Sequence, residues 1–166
     1  MSYGEGLYLV SDQDPTAIQV EAAAADYNEY LMPLDYTVEA FGVVVTENFV
    51  AQSTNFIIKL QQRQLVGGAS TTLATLTIGD NQTNLKSGDG THPGKTALTS
   101  ATDIDVGDVV LADGLPKSGR SGEYLAIEVT QAAGAAGGAV HPFVVIRLDG
   151  GPDTRQTNVW ILNAST

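Results

Sequence analysis

The sequence predicts an all-β fold: an antiparallel β-sandwich or jelly-roll-like domain with an extended N-terminal arm. Three observations predict it. Short apolar-alternating runs, about seven to nine of them, recur at close spacing between turn signals. Turn formers are abundant, with 18 Gly among 166 residues. All the prolines (Pro15, Pro33, Pro93, Pro116, Pro142 and Pro152) are expected between strands or at their ends, because proline cannot donate to a ladder.

The first 35 residues read differently from the rest. Their apolar residues, including Leu7, Tyr8, Leu9, Ile18, Val20, Leu31 and Met32, are strung along a polar line. That spacing predicts an arm, residues 1–35, that lies on another surface. Within it, "VEAAAADYNEYLM" carries an Ala run that favours a short helix over 21–31, stopped by Pro33. Residues 36–166 form the predicted sandwich.

The strands follow in order. "TVEAFGVVVTE" is apolar on both faces, with Phe41, Val43 and Val45 on one and Val38, Ala40 and Val44 on the other, which suits a covered strand. "NFIIKL" turns Phe56, Ile58 and Leu60 one way. "TLATLTI" points Ala74, Leu76 and Ile78 inward and Thr75 and Thr77 outward. "GDVVLAD" is a short strand after a turn. "GEYLAIEVT" sets Leu125, Ile127 and Val129 against Tyr124, Glu128 and Thr130. "FVVIRL" buries Val144, Ile146 and Leu148, and "TNVWILN" closes the chain. Between strands, Gly79–Thr96 reads as a long polar loop with no structure of its own, a length that usually marks function or mobility.

Charge and composition exclude several functions. The net charge is −11, and no basic residue precedes Lys59. Such a chain repels phosphate backbones, so no nucleic-acid partner is expected. With no cysteine there is neither a disulfide nor a thiolate metal site. No apolar run is long enough for a membrane span, and the N-terminus lacks a signal-peptide pattern, so synthesis in a cytoplasm is expected.

Chemistry is sparse. His92 and His141 each precede a proline and sit in no metal-spacing pattern, and no phosphate-loop, nucleophile-elbow or dinucleotide motif occurs. "DIDVGDVVLAD" places Asp103, Asp105, Asp108 and Asp113 close together, but Gly107 precedes Asp108 and no Glu closes a calcium loop. A turn leading into a strand is the expected arrangement. No catalytic, cofactor or metal residue is assigned. The interface candidates are the arm anchors Tyr3, Leu7, Tyr8, Leu9, Tyr27, Tyr30 and Met32. A second set lies in the Gly/Ala run: Ala132, Ala133, Gly134, Ala136, Gly137, Gly138 and Val140. That run is expected to be a hairpin tip whose small residues let a neighbouring backbone approach closely.

The layout resembles a known family. "LMPLDYTVEAFGVVVTENFVAQSTNFIIKLQQRQLVGG", then "ATLTIGD", "VGDVV" and "EYLAIEVTQAAGAAGGAVHPFVVI", resembles the β-sandwich cement or decoration proteins of tailed-bacteriophage capsids, over about Leu31–Leu148. The Gly79–Thr96 loop departs from that pattern. The resemblance implies a structural virion protein on the outer capsid surface that bridges neighbouring major capsid protein subunits. It implies a homotrimer at or near threefold positions, with no chemistry performed. Two other readings stay open: a phage tail, fibre or glycan-binding module, and a small enzyme using the Asp-rich turn with a metal.

Overall fold

The computed structural model describes residues 7–11, 17–19, 25–48, 55–64, 70–78, 85–87, 95–97, 104–131 and 138–149. Among them every regular element is a strand. The chain order is β1 (Leu7–Ser11), β2 (Ile18–Gln19), β3 (Ala25–Leu31), β4 (Asp35–Glu47), β5 (Phe56–Gln64) and β6 (Thr71–Ile78). There follow β7 (Leu85–Ser87), β8 (Lys95–Ala97), β9 (Val109–Leu111), β10 (Lys117–Gly119), β11 (Glu123–Gln131) and β12 (Ala139–Asp149). An eight-stranded sheet runs β1-β12-β4-β9-β7-β8, with β10 added on β4 and β2 on β12. A four-stranded sheet runs β3-β11-β5-β6. Every pairing is antiparallel. The fold is the β-sandwich that the alternating runs predict.

The core lies between the two sheets. One sheet contributes Tyr36, Val38, Phe41, Val43, Val45, Val110, Val140, Val144 and Ile146. The other contributes Phe56, Ile58, Leu60, Leu76, Ile78, Leu125, Ile127 and Val129. The expected inward positions of β5, β6 and β11 are therefore met.

Four expectations are corrected. Val38 does not face away from Phe41; both are fully buried in the same core. The register of β4 against β12 shifts between Val145 and Ile146, whose partners are Ala40 and Val38. The extra residue, Glu39, is a β-bulge, and it moves the inward set from even to odd numbers along β4. Next, Ala25–Leu31 is a strand, not a helix. It pairs along β11 from Leu31↔Tyr124 to Ala25↔Val129, and tertiary pairing overrides the modest helix preference of an Ala run. Third, the Gly79–Thr96 segment is not structureless: β7 pairs with both β8 and β9. Finally, Pro142 lies inside β12 and not at its end, opposite Val43. The other edge of β12 is shared there, with β1 ending at Phe143 and β2 beginning at Val140. The residue that lacks an N–H thus sits in the gap between those two partners.

The N-terminal arm is also drawn into the sandwich over its described parts. β1 lies on β12, β2 on the start of β12, and β3 forms one edge of the smaller sheet. The expected closing strand, residues 157–163, lies outside the described residues.

Candidate functional site

The described parts of the predicted interface are spread over both sheets. Leu7, Tyr8 and Leu9 pair through β1 with Arg147, Ile146 and Val145. Tyr27 lies in β3 at the register shift opposite Ile127 and Glu128. Tyr30 packs against the core, and Met32 belongs to it at 4% exposure. Val140 is likewise a core residue, and Gly138 is buried, with φ of 111°. Met32 and Val140 are thus core residues, because the strands that carry them are paired inside the molecule. Tyr3, Ala132, Ala133, Gly134, Ala136 and Gly137 lie outside the described residues. The strands on either side of the Gly/Ala run, β11 and β12, belong to different sheets and do not pair with each other.

What the fold does assemble is a polar junction at one end of the sandwich. β11 alternates, and its first residue, Glu123, points into the space between the sheets. There Glu123 Oε2 accepts from the Tyr36 hydroxyl at 3.3 Å, from the Gln62 side-chain amide, and from the Arg120 N–H at 2.7 Å. Tyr36 comes from β4, so the bond ties one sheet to the other. The backbone closes the same end: Met32 N–H donates to Glu123 O, Gly122 N–H to Met32 O, and Ser121 N–H to Asp35 Oδ1. Gly119 lies flat beneath the Tyr36 ring, which a Cβ there would overlap.

Burial pushes the Tyr36 phenol well above the usual tyrosine range; the Glu123 charge and hydrogen bond add to this, and the Gln62 bond opposes it. The sign follows from linkage. Below the ordinary phenol pKa of about 10, Tyr36 is neutral in both folded and unfolded chains and contributes no pH dependence. Above it the unfolded chain releases a proton that the fold retains, so stability falls as pH rises. Tyr36→Phe is expected to flatten this group's share of the decline, about 1.4 kcal/mol per pH unit. Urea midpoints compared at pH 9 and pH 11 check it (roughly one unit to either side of the phenol value), and parallel declines in both proteins would contradict it.

A second polar group covers the outer face of the smaller sheet. Arg63 Nη1 meets Glu29 Oε1 at 2.6 Å, and Arg63 Nη2 lies 3.8 Å from Glu128 Oε2. Gln61 donates to Glu128 Oε2 at 3.1 Å and accepts from the Thr72 hydroxyl at 3.1 Å. Four strands are laced in this way. At the β4 bulge, Arg147 Nε reaches Glu39 Oε1 at 3.0 Å and Arg147 Nη2 reaches the Thr37 hydroxyl at 3.3 Å.

The acidic turn sits at the opposite end of β4. Asp108 N–H donates to Asp105 O, and Asp105 N–H donates to Asp108 Oδ2, each at 3.0 Å. Gly107 takes φ of 92°, the conformation that a third turn residue needs. This is the turn expected from "DIDVGD", with Asp108 as its side-chain brace. Asp103 and His92 lie outside the described residues, and His141 sits within β12 opposite Val44.

Reasoning from sequence missed the Tyr36–Glu123–Gln62 junction and the Arg63 lacing. The signal was present in "QQRQ", a polar run ending an apolar strand, where alternation alone assigns no partner.

Fold and polar groups together define a two-sheet antiparallel β-sandwich whose polar side chains tie strand to strand. No protein-family model matches the chain, and no curated protein matches it. Among solved structures it is similar to one titled "Structure of Eiger TNF from S. frugiperda", at 9% identity and a TM-score of 0.36. That similarity covers 89% of this chain and 88% of the other. At this TM-score the likeness says nothing about what the chain does.

Proposed function

We propose that this chain is a structural virion protein, a cement or decoration protein that binds the outer surface of a tailed-phage capsid. In this reading it bridges major capsid protein subunits, as a homotrimer at or near threefold positions. The observation that supports it is the use made of the polar side chains. Glu123, Tyr36 and Gln62 tie the two sheets together, and Glu29, Arg63, Glu128, Gln61 and Thr72 lace four strands of one face. Side chains fixed in this way stiffen a tile, which is what a shell under internal pressure requires. The layout similarity from Leu31 to Leu148 points the same way. A net charge of −11 suits a surface facing away from packaged DNA.

The test is co-sedimentation of the purified chain with shells built from the major capsid protein of the same genome. Saturation at a fixed number of copies per shell subunit is expected. Absence of binding to both immature and expanded shells would overturn the proposal. Deleting the first thirty residues is not a usable control, since it removes β1 and β2 and most of β3, which pair with β12 and β11.

A further inference from the structure

The outer faces of the two sheets differ in kind. On the smaller sheet the side chains turned away from the core include Lys59, Gln61, Arg63, Thr72, Thr75 and Glu128, a polar face of the sort that meets water. The larger sheet does the reverse. Along β4, Phe41, Val43 and Val45 enter the core, so Ala40, Gly42 and Val44 face outward. The register carries this face onto both neighbours. Ala40 stands opposite Val145, Gly42 opposite both Phe143 and Leu111, and Val44 opposite Val109. Phe143 Cζ and Leu111 Cδ2 each lie 2.9 Å from where a Gly42 Cβ would stand, so the two side chains converge over the glycine.

Ala40, Val44, Val109, Leu111, Phe143 and Val145 all lie outside the core cluster, and each keeps part of its surface exposed. Together they make an apolar patch about 10 Å across three strands and about 13 Å along β4. His141, opposite Val44, is its polar member. The Glu39–Arg147 ion pair borders one end, and exposed Thr46 and Glu47 border the other. A contiguous apolar face outside an antiparallel sheet calls for cover.

The sequence holds a segment fitted to supply it. The expected closing strand, 157–163, carries Val159, Trp160, Ile161 and Leu162 in succession. Trp160 is the chain's one tryptophan, and covering such a side chain removes about 150–250 Å² from water. The segment is also tethered close by. β12 ends at Asp149, six positions beyond Phe143 and about 20 Å along the strand. Gly150, Gly151 and Pro152 follow at once, residues that favour chain reversal. The nine residues from Gly150 to Asn158 reach up to about 30 Å. The four apolar residues can therefore return to the centre of the patch, and a tether of this length favours the same chain over a second copy.

We infer that Val159–Leu162 is the cover of this patch, a strap of the same chain laid across β12, β4 and β9 with Trp160 against Phe143 and Leu111. The inference stands apart from the capsid reading. It leaves the polar face of the smaller sheet as the one free to meet a partner.

With no cysteine and one tryptophan in the chain, the contact can be read directly. A nitroxide label on Val44→Cys in the full chain should quench most of the Trp160 emission, because a nitroxide quenches an indole only near contact. The same label on Thr75→Cys, on the outer face of the other sheet, should leave the emission unchanged. Leu111→Cys supplies a second position on the patch if the first variant folds poorly. Quenching should not depend on protein concentration, the mark of a segment from the same chain. Emission as bright with the label on the patch as with the label at Thr75 would overturn the inference. Quenching that fades on dilution would overturn it as well, and would assign the patch to a second copy.

Discussion

Gly42→Val is expected to destabilise the protein by roughly 3 kcal/mol, the upper range for overpacking a core. Gly42 lies in β4 between two neighbours, opposite Leu111 on β9 and Phe143 on β12. A Cβ at this position would sit 2.5 Å from the Val110 carbonyl oxygen, 2.9 Å from Leu111 Cδ2 and 2.9 Å from Phe143 Cζ. The two side chains can turn away; the carbonyl cannot, because β9 is held to β4 along Gly42–Val44. The glycine therefore lets the Phe143 ring lie across the strand, the way aromatic residues cover a glycine in a sheet. Gly42→Ala should already show about half the effect, and Phe143→Leu combined with Gly42→Ala should recover only part of it, since the oxygen remains. Urea unfolding midpoints of the three variants test this. A loss of under about 0.5 kcal/mol in Gly42→Val would mean that β9 gives way freely at this point.

The same strand shows what the sequence could and could not disclose. That β4 runs through the interior of its sheet, between β12 and β9, is legible in "AFGVVV", where no polar residue interrupts six positions. Its inward set is not legible, because the bulge at Glu39 is decided by pairing with β12, more than a hundred residues away. β5, β6 and β11 were readable for a simpler reason: one face is core and the other meets solvent, so alternation survives in the letters. β3 was misread because its N-terminal letters are helix formers and its strand partner is remote. β11 and β12, two good strands in succession, suggest a hairpin in the letters, yet they lie in different sheets. Whether consecutive strands share a sheet depends on how the whole chain packs.

The polar junction was the least visible feature, since its members come from β4, β5 and β11 and share no spacing. It also carries the second large prediction. Glu123→Ala is expected to cost about 3 kcal/mol, because three donors lose one acceptor: the Tyr36 hydroxyl, the Gln62 amide and the Arg120 N–H. Two of the three are side chains from other strands, so the loss is a loss of cross-links between strands and sheets. Glu123→Gln keeps an oxygen in place and should cost about 1 kcal/mol, the worth of a neutral bond against a charged one. The two substitutions also separate charge from geometry. The Glu123 charge helps hold the Tyr36 phenol up, second to burial itself. Removing that charge should bring the Tyr36 titration down toward the ordinary range without abolishing the upward shift. Tyrosinate absorbance followed against pH in Glu123→Gln reads this directly. A Tyr36→Phe, Glu123→Ala double-mutant cycle reads the coupling in free energy. A titration unmoved in Glu123→Gln together with additive free energies would mean that burial alone sets the state of Tyr36. The tie between the sheets would then be apolar packing with a polar cap. A lowered titration with non-additive energies would place the bond between Tyr36 and Glu123 among the contacts that keep the two sheets together as pH rises.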